Sequence, residues 1–281
     1  MRAFTPSDLA LSRPTIAATS PAGADARHDD ASLVGGVTRW VAWQLLLPLA
    51  LLTVATICLI PLGGDRWLAD HVYAAEGGRW ALRNSFVTTR ILHAGGKALS
   101  TLAWLGVFAM TLRSTIDLRW KPLRRPLFAL LLSVALSTLT VSVLKHTTGM
   151  DCPWDASIYG GAHPYFTLFE VRPPGIKPSG CFPAGQASAG YAWVALYFFF
   201  ANVRPAWRYR GLAIGIGAGA ILGIAQQLRG AHYLSHDLWT LAISWFVALA
   251  IHRLSIRWAR RRAANGAHRS AQPAIEGSEH Q

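Results

Sequence analysis

Six apolar stretches dominate the chain, and each is long enough to cross a lipid bilayer as a helix. A transmembrane helix needs about 17 to 25 mostly apolar residues. Polar, basic or aromatic segments separate the stretches and give each of them clear ends. We therefore predict an all-α protein, a bundle of six transmembrane helices. The six stretches are residues 41–62, 94–112, 127–144, 187–203, 211–228 and 238–254.

The segments around these stretches add detail to the prediction. Residues 65–90 mix Trp and Tyr with charged side chains, a composition typical of an interfacial helix that lies on the membrane. Lys97 lies inside the second stretch, where a charge is costly. The two ends of the chain are polar. We expect a membrane domain over residues 39–258, with disordered cytoplasmic tails at residues 1–38 and 259–281.

The distribution of charge gives the predicted bundle an orientation. The chain carries 27 Lys and Arg against 14 Asp and Glu, a net charge of +13, although only 15% of its residues are charged. Soluble domains average about a quarter. With six spans, both termini and three basic segments lie on one side, and basic loops are cytoplasmic. We expect a bacterial inner-membrane protein with a periplasmic loop at residues 146–186 and no nucleic-acid partner. The basic segments are 113–125, 204–210 and 253–262.

The segment between the last two apolar stretches concentrates ionisable groups at a membrane boundary. It contains Arg229, His232, His236 and Asp237. Such groups are costly at this depth unless they have a function, so they indicate a site. If the segment is helical, His232 and His236 lie one turn apart on the same face. Asp237 follows directly and is placed to orient an imidazole by a hydrogen bond.

Two other segments reach the same outer side in this topology. Lys145 follows the third apolar stretch, and the turn Pro183–Gln186 begins the fourth. N–H groups at a helix N-terminus bind anions, and the helix dipole assists them. Lysine and arginine add charge, and a neutral histidine beside a phosphate can attack phosphorus or move a proton. The three segments together indicate a phosphate-binding site.

Three motifs in this order carry a resemblance to a known family. They read Lys145-x6-Cys152-Pro153, Pro183-Ala184-Gly185-Gln186 and Gln226-x5-His232-x3-His236-Asp237. The set resembles the type 2 phosphatidic acid phosphatase (PAP2) superfamily, whose motifs are Lys-x6-Arg-Pro, Pro-Ser-Gly-His and Ser-Arg-x5-His-x3-Asp. Several family positions are changed; among them, Cys152 and Gln226 stand for Arg, Ala184 for Ser, Gln186 for His, and His236 for Asp. Arg229, one turn after Gln226, is the candidate to replace the third-motif arginine.

The resemblance implies a two-step hydrolysis that uses no metal and no cofactor. His232 would accept the phosphoryl group, and Asp237 or His236 would hold its ring. The substrate phosphate would be bound by Lys145, Ala184, Gly185, Gln226 and Arg229.

Gln186 stands where the family has the histidine that protonates the leaving oxygen. Glutamine can hydrogen-bond a phosphate but does not transfer a proton near neutral pH, so we predict a severely impaired enzyme. A His→Gln change introduced to trap a substrate complex explains this residue best, because the flanking residues are intact. The alternative is a natural variant that uses another acid, such as His146 or His163.

The predicted function is that of a membrane lipid phosphate or diphosphate phosphatase with a phosphohistidine intermediate and a periplasmic active site. An isoprenoid carrier such as undecaprenyl diphosphate is the preferred substrate. Phosphatidic acid, phosphatidylglycerol phosphate and a lipid A phosphate also fit the resemblance. A lipid-to-lipid phosphotransferase and an inactive lipid-phosphate binding protein are the alternatives.

Further predictions concern the three cysteines and the ionisable side chains of the outer loop. In an oxidising periplasm, Cys152 and Cys181 can form a disulfide between the first two motif segments, and two free thiols are the alternative. Cys58 is predicted to be an apolar filler within the first span. The acidic and histidine side chains of the loop match no metal-ligand spacing; they are Asp151, Asp155, His163 and Glu170.

Overall fold

The computed structural model describes residues 42–172 and 174–271. The chain divides into two units, residues 1–43 and 44–281, and only residues 42 and 43 of the first unit are described. The predicted tail 1–38 therefore lies outside the described residues. The described part of the second unit confirms the all-α prediction, since it contains helices and turns and no strand, apart from one isolated bridge between Ala156 and His163.

Eight α-helices follow one another in the described part of the chain. They are α1 (Leu47–Leu59), α2 (Gly64–Ala75), α3 (Gly96–Ile116), α4 (Arg124–Thr148), α5 (Gly185–Tyr191), α6 (Ala195–Val203), α7 (Arg208–Gln227) and α8 (Leu234–Ala271). π-Helical segments lead into α1 and α3, namely Ala42–Leu46 and Val87–Gly95. The 3₁₀ turns are Leu118–Leu123, Pro153–Asp155, Ser157–Tyr159, Ala192–Val194 and Pro205–Trp207.

Four helical segments are long and apolar enough to cross a membrane: Ala42–Leu59, Val87–Ile116, Leu118–Asp155 and Leu234–Gly266. They contain most of the first, second, third and sixth predicted stretches. The fourth stretch lies in the segment formed by α5, a 3₁₀ turn and α6, and nearly all of the fifth lies in α7. The association with a membrane is thus supported by four helices, and the count of six spans stays a prediction. The last helix, α8, continues through residues 259–271, the start of the segment expected to be a disordered tail.

Glycines in α7 allow it to pack closely against the α5–α6 segment. The residues Gly215, Gly219 and Gly223 recur every four positions and lie on one face of the helix. A Cβ at Gly215 would meet the backbone of Val194, and one at Gly219 would meet the ring of Tyr191. Small residues at this spacing let helix backbones approach in the way that membrane helices favour.

The short helix α2 supports the beginning of α8. Asp65 in its first turn is buried, and its Oδ1 accepts a hydrogen bond of 2.9 Å from the backbone N–H of Ser235. This contact satisfies one of the free N–H groups at the start of α8. The interfacial helix predicted for residues 65–90 is shorter than expected, because α2 ends at Ala75 and the residues from Val87 onward lead into α3. The position of α2 at a membrane surface stays a prediction.

The loop between α4 and α5 is tied to the helices at two points. Cys152 and Cys181 form a disulfide, with their Cα atoms 5.2 Å apart. Asp151 accepts hydrogen bonds from Arg172 at 2.5 Å and from the backbone of Ser179 at 3.2 Å, and its other oxygen contacts His163 at 2.8 Å. The loop is therefore fixed where it passes the ends of both helices. Cys58, the remaining cysteine, is exposed on α1.

Candidate active site

A cavity of about 500 Å³ lies between α3, α4, α5 and the turn that joins α7 to α8. The structure thereby brings the three motif segments together. Of the nine predicted site residues, six line the cavity: Lys145, Gly185, Gln186, Gln226, Arg229 and His232. The other three, Ala184, His236 and Asp237, lie behind its wall.

His232 lies in the turn before α8 and is 6% exposed. The segment 226–237 is thus not one helix, because α7 ends at Gln227 and α8 begins at Leu234. A positive φ of 70° at Gly230 forms part of the turn between them. Burial, followed by His236 and Lys145, holds the pKa of His232 well below its usual value of 6.5. The imidazole is therefore neutral at neutral pH, as a nucleophile requires.

His236, and not Asp237, lies beside His232. The Nδ1 atoms of the two histidines are 3.5 Å apart, and the Cys181 backbone interacts with both rings. Asp237 is one residue further along α8, which turns its side chain towards α7. Its Oδ2 accepts a hydrogen bond of 2.5 Å from Gln227 Nε2. Of the two candidates for holding the His232 ring, the structure places only His236 within reach.

Lys145 and Gly185 form the wall at the ends of α4 and α5. Gly185 is the first residue of α5, and a Cβ there would lie 3.6 Å from Lys145 Nζ, so the lysine passes close to the helix N-terminus. Ala184 was predicted to bind the substrate phosphate, but its N–H group is not free. It is fully buried, and its N–H donates to the His236 carbonyl at 3.2 Å. The anion-binding donors at this end are thus Lys145 and the first N–H groups of α5.

Arg229 is held in place by three contacts. Its Nε donates to the Arg83 carbonyl at 2.9 Å, its Nη1 donates to Gln226 Oε1 at 3.0 Å, and its guanidinium lies 5.9 Å from the centre of the Trp154 ring. Burial and the neighbouring Arg83 lower the pKa of Arg229, which remains a cation. The site therefore presents a fixed arginine near His232, as expected for a substitute of the family's arginine.

Gln186 is buried and binds the backbone of the segment that leads into α3. Its Nε2 donates to the carbonyls of His93 and Leu92, at 2.9 and 3.2 Å. Its Oε1 has no hydrogen-bond partner within the described residues, and the same is true of Gln226 Nε2 and His93 Nδ1. Buried polar atoms are nearly always hydrogen-bonded in folded proteins. These three atoms are enclosed by the protein, although their residues line the cavity.

His93 and Lys97 also line the cavity, and sequence reasoning assigned them no role in the site. The only signal was the charge of Lys97 within an apolar stretch. The proposed alternative acids do not reach the cavity. His146 is exposed at the end of α4, and His163 binds Asp151. His163, Asp151 and Asp155 are close enough to share a cation, but Arg172 already occupies the Asp151 carboxylate.

Comparison with known protein families gives a match for the second half of the chain. Residues 126–260 match the PAP2 superfamily. No curated protein and no solved structure matches the chain. The matched segment contains Lys145, the turn into α5, and the segment from Gln226 to Asp237. Residues 126–260 are therefore a PAP2-superfamily segment of this chain.

Proposed function

We propose that this protein is a membrane phosphatase that hydrolyses lipid phosphates or diphosphates through a phosphohistidine at His232. The observation that carries the proposal is the position of a buried, neutral histidine beside Lys145 and Arg229 on the wall of one cavity. Two cations bind a phosphate group and reduce its repulsion of a nucleophile. His232 retains the lone pair that attacks phosphorus.

The other residues of the site have supporting roles. His236 orients the His232 ring through the contact between their Nδ1 atoms. Gln226 fixes Arg229, because its Oε1 accepts a hydrogen bond from the Arg229 guanidinium. N–H groups at the start of α5 bind the same phosphate, with the helix dipole adding to their charge. The reaction needs neither a metal ion nor a cofactor.

The apolar helices support the proposed class of substrate and the proposed topology. A substrate with an apolar chain can remain in the bilayer while its phosphate enters a polar cavity at the helix ends. With six spans and basic loops in the cytoplasm, this cavity faces the periplasm of a bacterial inner membrane. An isoprenoid diphosphate such as undecaprenyl diphosphate is the preferred substrate. Phosphatidic acid, phosphatidylglycerol phosphate and lipid A phosphates are the further candidates.

Gln186 limits the reaction. It cannot protonate a leaving oxygen, so hydrolysis of an aliphatic phosphate is slow unless another group in the cavity supplies the proton. The Gln186→His variant measures this limit directly. If it binds lipid phosphates but releases no phosphate, the protein is a binding protein and not an enzyme. If its product is a phosphorylated second lipid, it is a phosphotransferase.

A His232→Ala variant tests the proposal. We expect phosphate release from the lipid panel to fall by at least about 10³-fold, because the nucleophile is lost. His146→Ala, which removes an exposed histidine at the end of α4, is the matched control and should keep its rate. Quenching a turnover of ³²P-labelled substrate with alkaline detergent should give an acid-labile, base-stable label that His232→Ala lacks. An unchanged rate in His232→Ala would refute the mechanism.

A further inference from the structure

Gln186 stands where the family has its proton donor. The proposed reaction therefore needs a proton donor from elsewhere in the cavity. An alkoxide is a poor leaving group, so an aliphatic phosphate monoester needs a proton on its leaving oxygen. His146 and His163 lie away from the cavity. The donor for such substrates has to come from the remaining titratable groups on the wall.

His93 lies on this wall, in the last turn of the π-helical segment Val87–Gly95. It precedes the segment that matches the PAP2 superfamily, so no family motif assigns it a role. The Gln186 amide donates to its carbonyl at 2.9 Å, which fixes the backbone that carries the His93 ring. π-Helical turns are frequent at functional sites. Gln186 thus holds the backbone of a histidine that lines the same cavity as itself.

The surroundings of His93 favour its protonated form once a phosphate is bound. Its Nδ1 is buried and has no partner within the described residues. Lys97 on α3, Lys145 on α4 and Arg229 in the turn after α7 are cations that line the same cavity, as does His232. A phosphate dianion bound among them offsets their charge and favours the imidazolium.

We propose that His93 is the general acid and base of this site, an inference that rests on the phosphatase function proposed above. As His232 attacks, the N–P bond forms and the bond from phosphorus to the leaving oxygen breaks. His93 gives its proton to that oxygen, which leaves as an alcohol. Neutral His93 then takes a proton from the attacking water. The water oxygen bonds to phosphorus, the N–P bond breaks, and phosphate leaves with His232 neutral and His93 protonated again.

The experiment compares a poor and a good leaving group in one variant. His93→Gln is assayed for phosphate release from dodecyl phosphate and from p-nitrophenyl phosphate, with His146→Gln as the matched control. We expect kcat for dodecyl phosphate to fall by about 10²-fold or more, and kcat for p-nitrophenyl phosphate by less than about threefold. Turnover of p-nitrophenyl phosphate by the same sample shows that the variant is folded.

The pH profile provides a second readout. In the unsubstituted protein, kcat for dodecyl phosphate should decline as the pH rises and His93 loses its proton. His93→Gln should lack this decline. Equal losses on both substrates, or no loss on either, overturn the assignment. So does a gain of about tenfold or more on dodecyl phosphate in Gln186→His, which would show that the site lacks a donor. If the unsubstituted protein hydrolyses neither substrate, the phosphatase function itself fails.

Discussion

Buried carboxyl groups in this protein differ in the partners that satisfy them. Asp151 has a guanidinium, an imidazole and a backbone N–H around it. Asp65 has only Ser235, and burial dominates, so the pKa of Asp65 rises to about 6. Burying a carboxylate that has no neighbouring cation costs free energy, so the protonated form of the carboxyl group is favoured.

Replacing Asp65 with Asn should therefore change how stability depends on pH. The folded protein binds the Asp65 proton up to pH about 6, and the unfolded chain only up to about 3.8, so the free energy of unfolding falls as the pH rises between these values. Asn keeps the acceptor for Ser235 and carries no charge. We expect the free energy of unfolding of the variant, measured by thermal denaturation, to exceed that of the unsubstituted protein by a margin that grows from pH 4 to pH 7, up to roughly 3 kcal/mol. A margin that does not change with pH would contradict the role of burial.

At the scale of single residues, sequence reasoning identified the candidate site residues within the motifs and missed those outside the motifs. Lys145, Arg229 and His232 were identified because helix ends and neighbouring charges marked them. His93 was missed because nothing in its own segment distinguishes it, and its position on the cavity wall becomes visible only when α3 packs beside Gln186. The direction of Asp237 was equally hidden, because it depends on α8 starting at Leu234.

Helix α7 shows how packing at the level of an element depends on single atoms. The α5–α6 segment packs closely against one face of α7 only. Glycines on that face therefore have much less space around them than glycines elsewhere on the helix. A Cβ at Gly215 would meet the Val194 backbone, which cannot move aside, whereas a Cβ at Gly217 would meet nothing within 4 Å. The spacing of glycines thus identifies the contact face, and Gly217 lies off it.

The pair Gly215→Ala and Gly217→Ala tests this contact with the same added methyl group. We expect Gly215→Ala to destabilise the protein by about 1–3 kcal/mol, since the two helix segments must separate. Gly217→Ala should be neutral or stabilising by about 0.5–1 kcal/mol, because alanine favours the helix. Thermal unfolding in detergent measures both. Similar midpoints for the two variants would show that α7 does not pack as described.

Helices were easier to predict than their ends. Each of the six apolar stretches is largely helical in the structure, because long apolar runs have few other ways to satisfy their backbone. The π-helical start of α3 and the length of α8 were not predicted. The π-helical start of α3 depends on tertiary contacts such as the hydrogen bond from the Gln186 amide. The length of α8 depends on a segment rich in arginine, which is a good helix former despite its charge.

For the whole molecule, the disulfide between Cys152 and Cys181 joins segments that the chain separates by 29 residues. Both cysteines line the cavity, and the backbone of Cys181 touches the two buried histidines. Closing a loop of this length stabilises a fold by about 3–4 kcal/mol in the chain-entropy model. The bond therefore contributes both to the stability of the protein and to the geometry of the site.

Reduction should lower both stability and activity. We expect dithiothreitol, or the double variant Cys152→Ser with Cys181→Ser, to lower the thermal midpoint and the rate of phosphate release together. Cys58→Ser, which changes an exposed cysteine on α1, is the matched control. Full activity in the double variant would show that the loop holds its place without the bond.

The contact between Cys181 and the two histidines has a consequence for the life of a newly made chain. Disulfides form after a protein reaches an oxidising compartment. A nascent chain can thus acquire its helices first, while the segment that carries Cys181 is tied to Cys152 only later. The two buried histidines receive their final surroundings at this second step.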